Sequence, residues 1–201
     1  MTFVETIEEL ESHYGEPQPT ALRKVATRMV PVYRDWIMKS RFCVLTTVGP
    51  DGTDGSPRGD DGPVVAEIDE QTLAMPDWHG NNRMDSLRNI VSDGRASLMF
   101  MIPGSNNVVR VNGTARLSVD PELLHRFERK GKHPRSVILI GINEIYFQCA
   151  RAIMRAGIWR SGDESDGLPT AGDILKTMTG GEISGEAYDA AWPESARKSM
   201  W

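Results

Sequence analysis

Cysteine is scarce. The 201-residue chain has only Cys43 and Cys149, far apart and without a Cys-x-x-Cys motif. That excludes a disulfide scaffold or zinc ribbon and suits a reducing cytoplasm. No apolar run approaches the roughly 20 residues of a membrane span, and the acidic start MTFVETIEELESHYGE does not read as a secretory signal. Positive charge is not in excess: a net charge of −5 argues against a protein that coats nucleic acid, while leaving room for a local basic pocket. G-x-S-x-G, Walker A and G-x-G-x-x-G motifs are absent, as is any internal repeat. His13, His79, His125 and His133 show no metal-ligand spacing, so no metal is expected. What remains is an ordinary globular composition, long enough for one domain with extensions.

The β-forming residues concentrate in the middle. Arg41–Val48 predicts a strand, and Gly49-Pro-Asp-Gly52 a hairpin turn into the glycine-studded segment 55–62, an edge strand or loop. Val64–Ile68, Thr72–Met75, Arg95–Ile102, Val108–Val119 and Ser136–Tyr146 read as further strands, with Gly113 marking a bend or bulge. Asp120 followed by Pro121 predicts a capped helix running to about Lys130. Helices are also expected over 3–14, over 20–39 with a break near Pro31, and over 148–156. Strands and helices do not alternate, so a doubly wound sheet is disfavoured. A mainly β fold with helices, a small antiparallel barrel with peripheral helices, fits better. The expected organisation is a helical extension over 1–35, a barrel domain over 36–160, and a linker and tail over 161–201 packing on the barrel or on a partner chain.

PDWHGNNRMDSLRNIV, residues 76–91, carries the best candidate site. Met84, Leu87, Ile90 and Val91 fall at helical spacing, with Asn81 or Asn82 as cap and Arg83 in the first turn. Acidic residues usually occupy that turn. An arginine there suits a bound anion, because a helix start offers unpaired N–H groups and the guanidinium matches phosphate. The plain alternative is a capped surface helix with an exposed arginine. Arg58 and Gly59 in SPRGDD could approach a phosphate or a flat ligand, or Arg58 could simply pair with Asp60 or Asp61. Trp78 could stack on a ligand or pack on the core. His79 is the one nearby side chain suited to acid–base work. The residues alone therefore support a phosphate-bearing ligand held at a helix start beside a small barrel.

The order of these features resembles the pyridoxamine 5'-phosphate oxidase-like FMN-binding split-barrel family. FCVLTTVGPDG, SPRGDD, LAMPD, NNRMDSLRNI, DGRASLMFMIPG and VVRVNGTARLSV follow its pattern over about residues 36–160. EIYFQCARAIMRAGIW is similar to a poorly characterised bacterial branch of FMN-dependent enzymes. The resemblance implies an antiparallel split β-barrel and a homodimer with an FMN at each of two shared sites. It further implies that Asn82 and Arg83, beside Asn81, hold the phosphate, and that Arg58 reaches phosphate and flavin. Gly59 and Asp60 would border the ring, Met75, Pro76 and Asp77 would line the cofactor, and Trp159 or Arg160 would come from the other chain.

Two departures from the family pattern bear on substrate. The vitamin oxidases end in a basic Arg-Leu-x-Pro motif, whereas this sequence has PESARKSMW, and it carries Asp60-Asp61 where they have apolar residues and a lysine. The expected function is thus an FMN-dependent oxidoreductase for a small molecule other than pyridoxamine phosphate, with NAD(P)H as a candidate donor. The rivals are a non-enzymatic FMN carrier or sensor, and a split barrel binding haem or a deazaflavin.

Overall fold

The computed structural model describes residues 1–200. Phe42–Gly49 (β1) and Gly52–Gly59 (β2) form a hairpin about Pro50-Asp51, with Gly49 opposite Gly52. Ala66–Asp69 (β3), Thr72–Asp77 (β4), Arg95–Met101 (β5), Val108–Ser118 (β6) and Ser136–Gln148 (β7) complete one seven-stranded sheet. Its order is β2-β1-β5-β6-β7-β4-β3, with every neighbouring pair antiparallel. The sheet is not closed by hydrogen bonds, and β2 and β3 are its edges. The expected architecture, mainly β with helices in a split antiparallel barrel, is the one the chain adopts.

Alternation fills the interior. Cys43 and Leu45 on β1, Leu98 and Phe100 on β5, Val109 and Val111 on β6, and Ile138 and Ile140 on β7 are buried and point inward. Between Asn112 and Gly113 the β6–β7 register slips: Asn112 faces Glu144 and Gly113 faces Ile142, leaving Asn143 unmatched. The bulge expected at Gly113 is present, but the extra residue belongs to β7 and Gly113 is the residue that lets it fit. A Cβ at Gly113 would overlap the carbonyl oxygen of Gly141.

The N-terminal segment contains Ile7–Ser12 (α1), Pro19–Arg23 (α2) and Pro31–Ile37 (α3). The first two bury no residue, and the long helix expected over 20–39 is two short ones. Backbone attachment to the barrel begins with the Ala26–Ile145 bridge and continues through Met29, whose N–H donates to the Glu70 carbonyl at 2.6 Å. Ile37 enters the core, so α3 runs across the expected 35/36 boundary.

Asp85–Ser92 (α4) packs against β1 and β2. Pro121–Arg126 (α5) is capped by Asp120, whose carboxylate accepts from the Glu122 and Leu123 N–H groups, and ends earlier than expected. Arg151–Ala156 (α6) leads into the glycine-rich linker. The expected tail is a helical hairpin, Ala171–Met178 (α7) and Gly185–Ser199 (α8). Asp189 of α8 accepts from the Gly172 N–H at 2.9 Å and the Thr170 hydroxyl at 2.5 Å, locking the two helices together. Among the described residues no helix is long and apolar enough to cross a membrane.

Gly113→Ala is expected to destabilise the chain by about 1–3 kcal/mol, the usual cost of forcing atoms into a packed site. Urea denaturation measures it, and an unchanged midpoint would mean that the β6–β7 bulge can relax.

Candidate functional site

The inner face of β2 is polar. Asp54, Ser56 and Arg58 lie opposite Thr47, Leu45 and Cys43 of β1 and share their side of the sheet. Because β2 is an edge strand, this face ends in a cleft of about 890 Å³ rather than in packed core, a size ordinary for a small-ligand or cofactor site. The end of β4 forms the opposite wall. Arg58 Nη1 donates to Asp77 Oδ1 at 2.6 Å across the gap. These side chains are only 20% and 14% exposed. Arg58 Nε is buried as well and has no hydrogen-bond partner. An unsatisfied buried donor costs about 1–3 kcal/mol, so the cleft wall presents a donor that an entering acceptor would satisfy.

Arg58 does not pair with Asp60 or Asp61. Those two carboxylates take Arg129, at 2.8 and 2.6 Å. Burial pushes the Asp60 carboxyl up and Arg129 offsets part of that; the Arg129 hydrogen bond holds Asp61 down. Opposite Arg58, burial pushes the Cys43 thiol up to about 12, with the guanidinium pulling the other way. Cys43 is therefore a buried, inert thiol rather than a nucleophile.

The rim differs from the expected helix start. α4 begins at Asp85, its N-cap is Met84, and no side chain caps it. Asn82 and Met84 both adopt left-handed backbone, at φ 62° and 61°, so the chain cannot be helical before Asp85. Arg83 consequently lies outside the first turn. It is 80% exposed, and its Nε donates to Asp85 at 2.5 Å, so the acid that the helix dipole favours is present after all. Asn81 accepts from the Arg83 N–H at 3.1 Å in a local turn rather than capping α4. The buried face also differs: Ser86 and Ile90 are buried and Leu87 half-buried, while Val91 is 75% exposed and Met84 lies at the cleft rim rather than in the core.

α4 is fixed to the strands by polar contacts. The Ser86 hydroxyl donates to Asp54, and Asn89 Nδ2 donates to the Thr47 hydroxyl at 3.2 Å. Sequence reasoning missed Arg135, which precedes β7 in a run of basic residues. Its guanidinium donates to Asn82 and lies 2.8 Å from His79 Nδ1, while its N–H donates to the Asp77 carbonyl at 3.0 Å. Arginine has no acceptor, so His79 Nδ1 accepts and the ring proton sits on Nε2.

Arg58, Gly59, Asp60, Met75, Pro76, Asp77, His79, Asn81, Asn82 and Arg83 thus all line one cleft, together with Trp78, Arg135 and Met200 beyond the end of α8. Trp159 and Arg160 do not line it. Trp159 instead donates from Nε1 to the Ser105 carbonyl at 2.7 Å, on the β5–β6 loop.

The family model for pyridoxamine 5'-phosphate oxidase matches residues 29–149. None of the curated proteins matches the chain. Among solved structures, the chain is similar to the HupZ protein of Group A Streptococcus at 17% identity, covering 58% of this chain and 92% of that one with a TM-score of 0.47. It is similar to General Stress Protein 26 from Bacillus anthracis at 16% identity, covering 56% and 88%, with a TM-score of 0.45. An FMN-binding protein from Syntrophomonas wolfei is also similar, at 16% identity, covering 58% and 88%, with a TM-score of 0.44.

Asp77→Ala should leave Arg58 without its partner across the cleft and lower stability by about 1–3 kcal/mol. Chemical denaturation of the variant tests this; a native midpoint would show that the pair does not hold the two walls.

Proposed function

Because the chain belongs to the pyridoxamine 5'-phosphate oxidase family, we propose that it is an FMN-dependent oxidoreductase acting on a small molecule other than pyridoxamine phosphate. The observation that carries this reading is the unsatisfied, buried Arg58 Nε in the wall of the cleft. The donor set around it fits a flavin nucleotide. Val64, Met75 and Leu87 offer apolar surface to a flat ring, while Arg58, Arg83 and Arg135 offer cationic donors to a phosphate and to ring carbonyls. The left-handed Met84 stores backbone strain at the rim, a pattern common at ligand clamps.

A bound FMN supplies hydride transfer. The chain's own residues bind and orient. Arg58, held by Asp77, keeps fixed positive charge on one wall. Asn82 and Arg83 supply donors at the rim, with Asn82 positioned by Arg135. Arg135 also holds His79 with its proton on Nε2, which makes His79 a hydrogen-bond donor toward any substrate at the rim. Asp60 and Asp61, which stand in place of the apolar residues and lysine of the vitamin oxidases, are tied up with Arg129, which favours a substrate other than pyridoxamine phosphate. NAD(P)H serves as the electron donor in this reading. The chain acts in this reading as a cytoplasmic homodimer, with Trp159 or Arg160 of a second copy completing each site. The exposed free edge of β2 beside the cleft supports an assembly that covers it.

Purified protein is expected to show a flavin band at about 450 nm, and anaerobic NAD(P)H to bleach it. A Soret band, or a deazaflavin band at about 420 nm, would overturn FMN as the cofactor. A flavin that no donor reduces would make the chain a carrier or sensor. Arg58→Ala should weaken FMN binding by about 1.5–3 kcal/mol, the worth of a charge-assisted hydrogen bond. Arg83→Ala should cost less, since its guanidinium is exposed and already paired with Asp85. Native affinity in both variants would remove the phosphate assignment. Light scattering should give the mass of two chains, and a monomer that binds FMN would dismiss the shared site.

A further inference from the structure

A second cluster lies outside the cleft, where α5 turns into β7. His125 sits in the last turn of α5, and the Glu128 N–H donates to the His125 carbonyl at 3.0 Å, continuing the turn past the helix end. Arg129 and Lys132 then exchange backbone hydrogen bonds of 2.8 and 2.9 Å around Lys130 and Gly131. Both of these central residues have positive φ, at 50° and 76°, the backbone that a tight two-residue hairpin requires. This reversal folds His133 back over Glu128. One oxygen, Glu128 Oε2, ends 3.4 Å from His125 Nδ1 and 3.8 Å from His133 Nε2. A ligand atom from each of the three residues lies within 4.8 Å of the other two.

We propose that His125, Glu128 and His133 form a divalent-metal site suited to zinc. Two imidazoles and one carboxylate are a zinc donor set that leaves a fourth position open. Tetrahedral zinc with bonds of about 2.0–2.1 Å holds its ligand atoms roughly 3.4 Å apart. The two His–Glu separations are already close to that, and the three exposed side chains are free to close the remainder. Nδ1 of His125 and Nε2 of His133 would bind, which fixes opposite tautomers on the two rings.

The scaffold beneath the cluster is braced independently of any ion. Arg129, inside the hairpin, is held by Asp60 and Asp61 at the end of β2, so one cation that would oppose a metal is already matched by two carboxylates. His133 also lines a groove of about 560 Å³ with Trp78, His79, Arg135 and Ser199, next to the main cleft. The cluster thus lies at the same end of the molecule as the candidate flavin site, although the metal assignment does not rest on flavin binding.

The spacing explains why the sequence does not announce the site. Read as histidines alone, 125 and 133 have no ligand interval; the set is His-x2-Glu-x4-His, and only the left-handed turn at Lys130-Gly131 brings its last member home. Calorimetric titration of the metal-stripped full chain with zinc chloride tests the proposal. One zinc per chain is expected. Glu128→Gln and His133→Ala should each weaken binding by at least the roughly 10–100-fold that losing even an outer-shell partner costs. His13→Ala should bind as the native chain does. Absence of saturable zinc binding, or native affinity in both cluster variants, would overturn the site. Flavin content, measured on the same samples, reports separately on the cleft.

Discussion

The ion pair between Arg58 and Asp77 is the contact on which the site's shape depends. Arg58 lies on β2, at one edge of the sheet, and Asp77 ends β4, five strands away in the sheet order. In a flat sheet, five spacings of about 4.8 Å would separate them by roughly 24 Å. They are 2.6 Å apart. The sheet has therefore curled until edge strand β2 meets the end of β4, one strand in from the other edge, and at that seam side chains take the place of backbone hydrogen bonds. An opening at the seam follows directly, because no ladder fills it. Half-buried charge is a costly way to join two walls, but it leaves a guanidinium with donors to spare facing the opening.

The rest of the site is arranged around that seam. The polar inner face of β2 would be unfavourable in a closed barrel, since Asp54, Ser56 and Arg58 would face packed apolar core. At the seam they have work: Asp54 accepts from Ser86 and so anchors the first turn of α4, and Arg58 spans the gap. The rim loop between β4 and α4 is braced from a different element, by Arg135 at the entrance to β7. The walls, helix start and rim come from β2 and from the continuous stretch running from β4 into α4, with Arg135 bracing them from β7, and each carries at least one charged or amide hydrogen bond in addition to the packing of Ile90 into the core.

Much of the fold is legible in the sequence because its signals are local. The Gly49–Gly52 turn, the Asp120-Pro121 cap and the β-branched runs in β6 and β7 each follow from residues within a few positions of one another. The gathering of Arg58, Asp77, Asn82 and Arg83 into one cleft is legible only through resemblance to a family, because nothing local ties β2 to β4. The start of α4 is misread for a clear reason. Asn at 81 and 82 is a strong cap signal, but Asn also tolerates left-handed backbone better than most residues, and at Asn82 that second property prevails. Arg135 is invisible because a basic run offers no periodicity by which to choose among its members. The α7–α8 hairpin is hidden behind glycines that read as linker, although Gly172 and Gly185 let the two helix backbones come into contact.

The slip at Asn143 shows up in the parity of β7. Ile138, Ile140 and Ile142 face the interior at even positions, and beyond the slip the interior residue is Ile145, at an odd one. The strand changes phase once, so a search that assumes a single phase reads one half of it inside out. Removing Asn143 from the count would restore an unbroken alternation and leave every other β6–β7 partner where it is. What would be lost is the bend that such an extra residue imposes. Asn143 is exposed and holds no core position, yet the curvature that brings β2 round to β4 draws on it. It is a residue whose presence in the chain matters more than its chemistry.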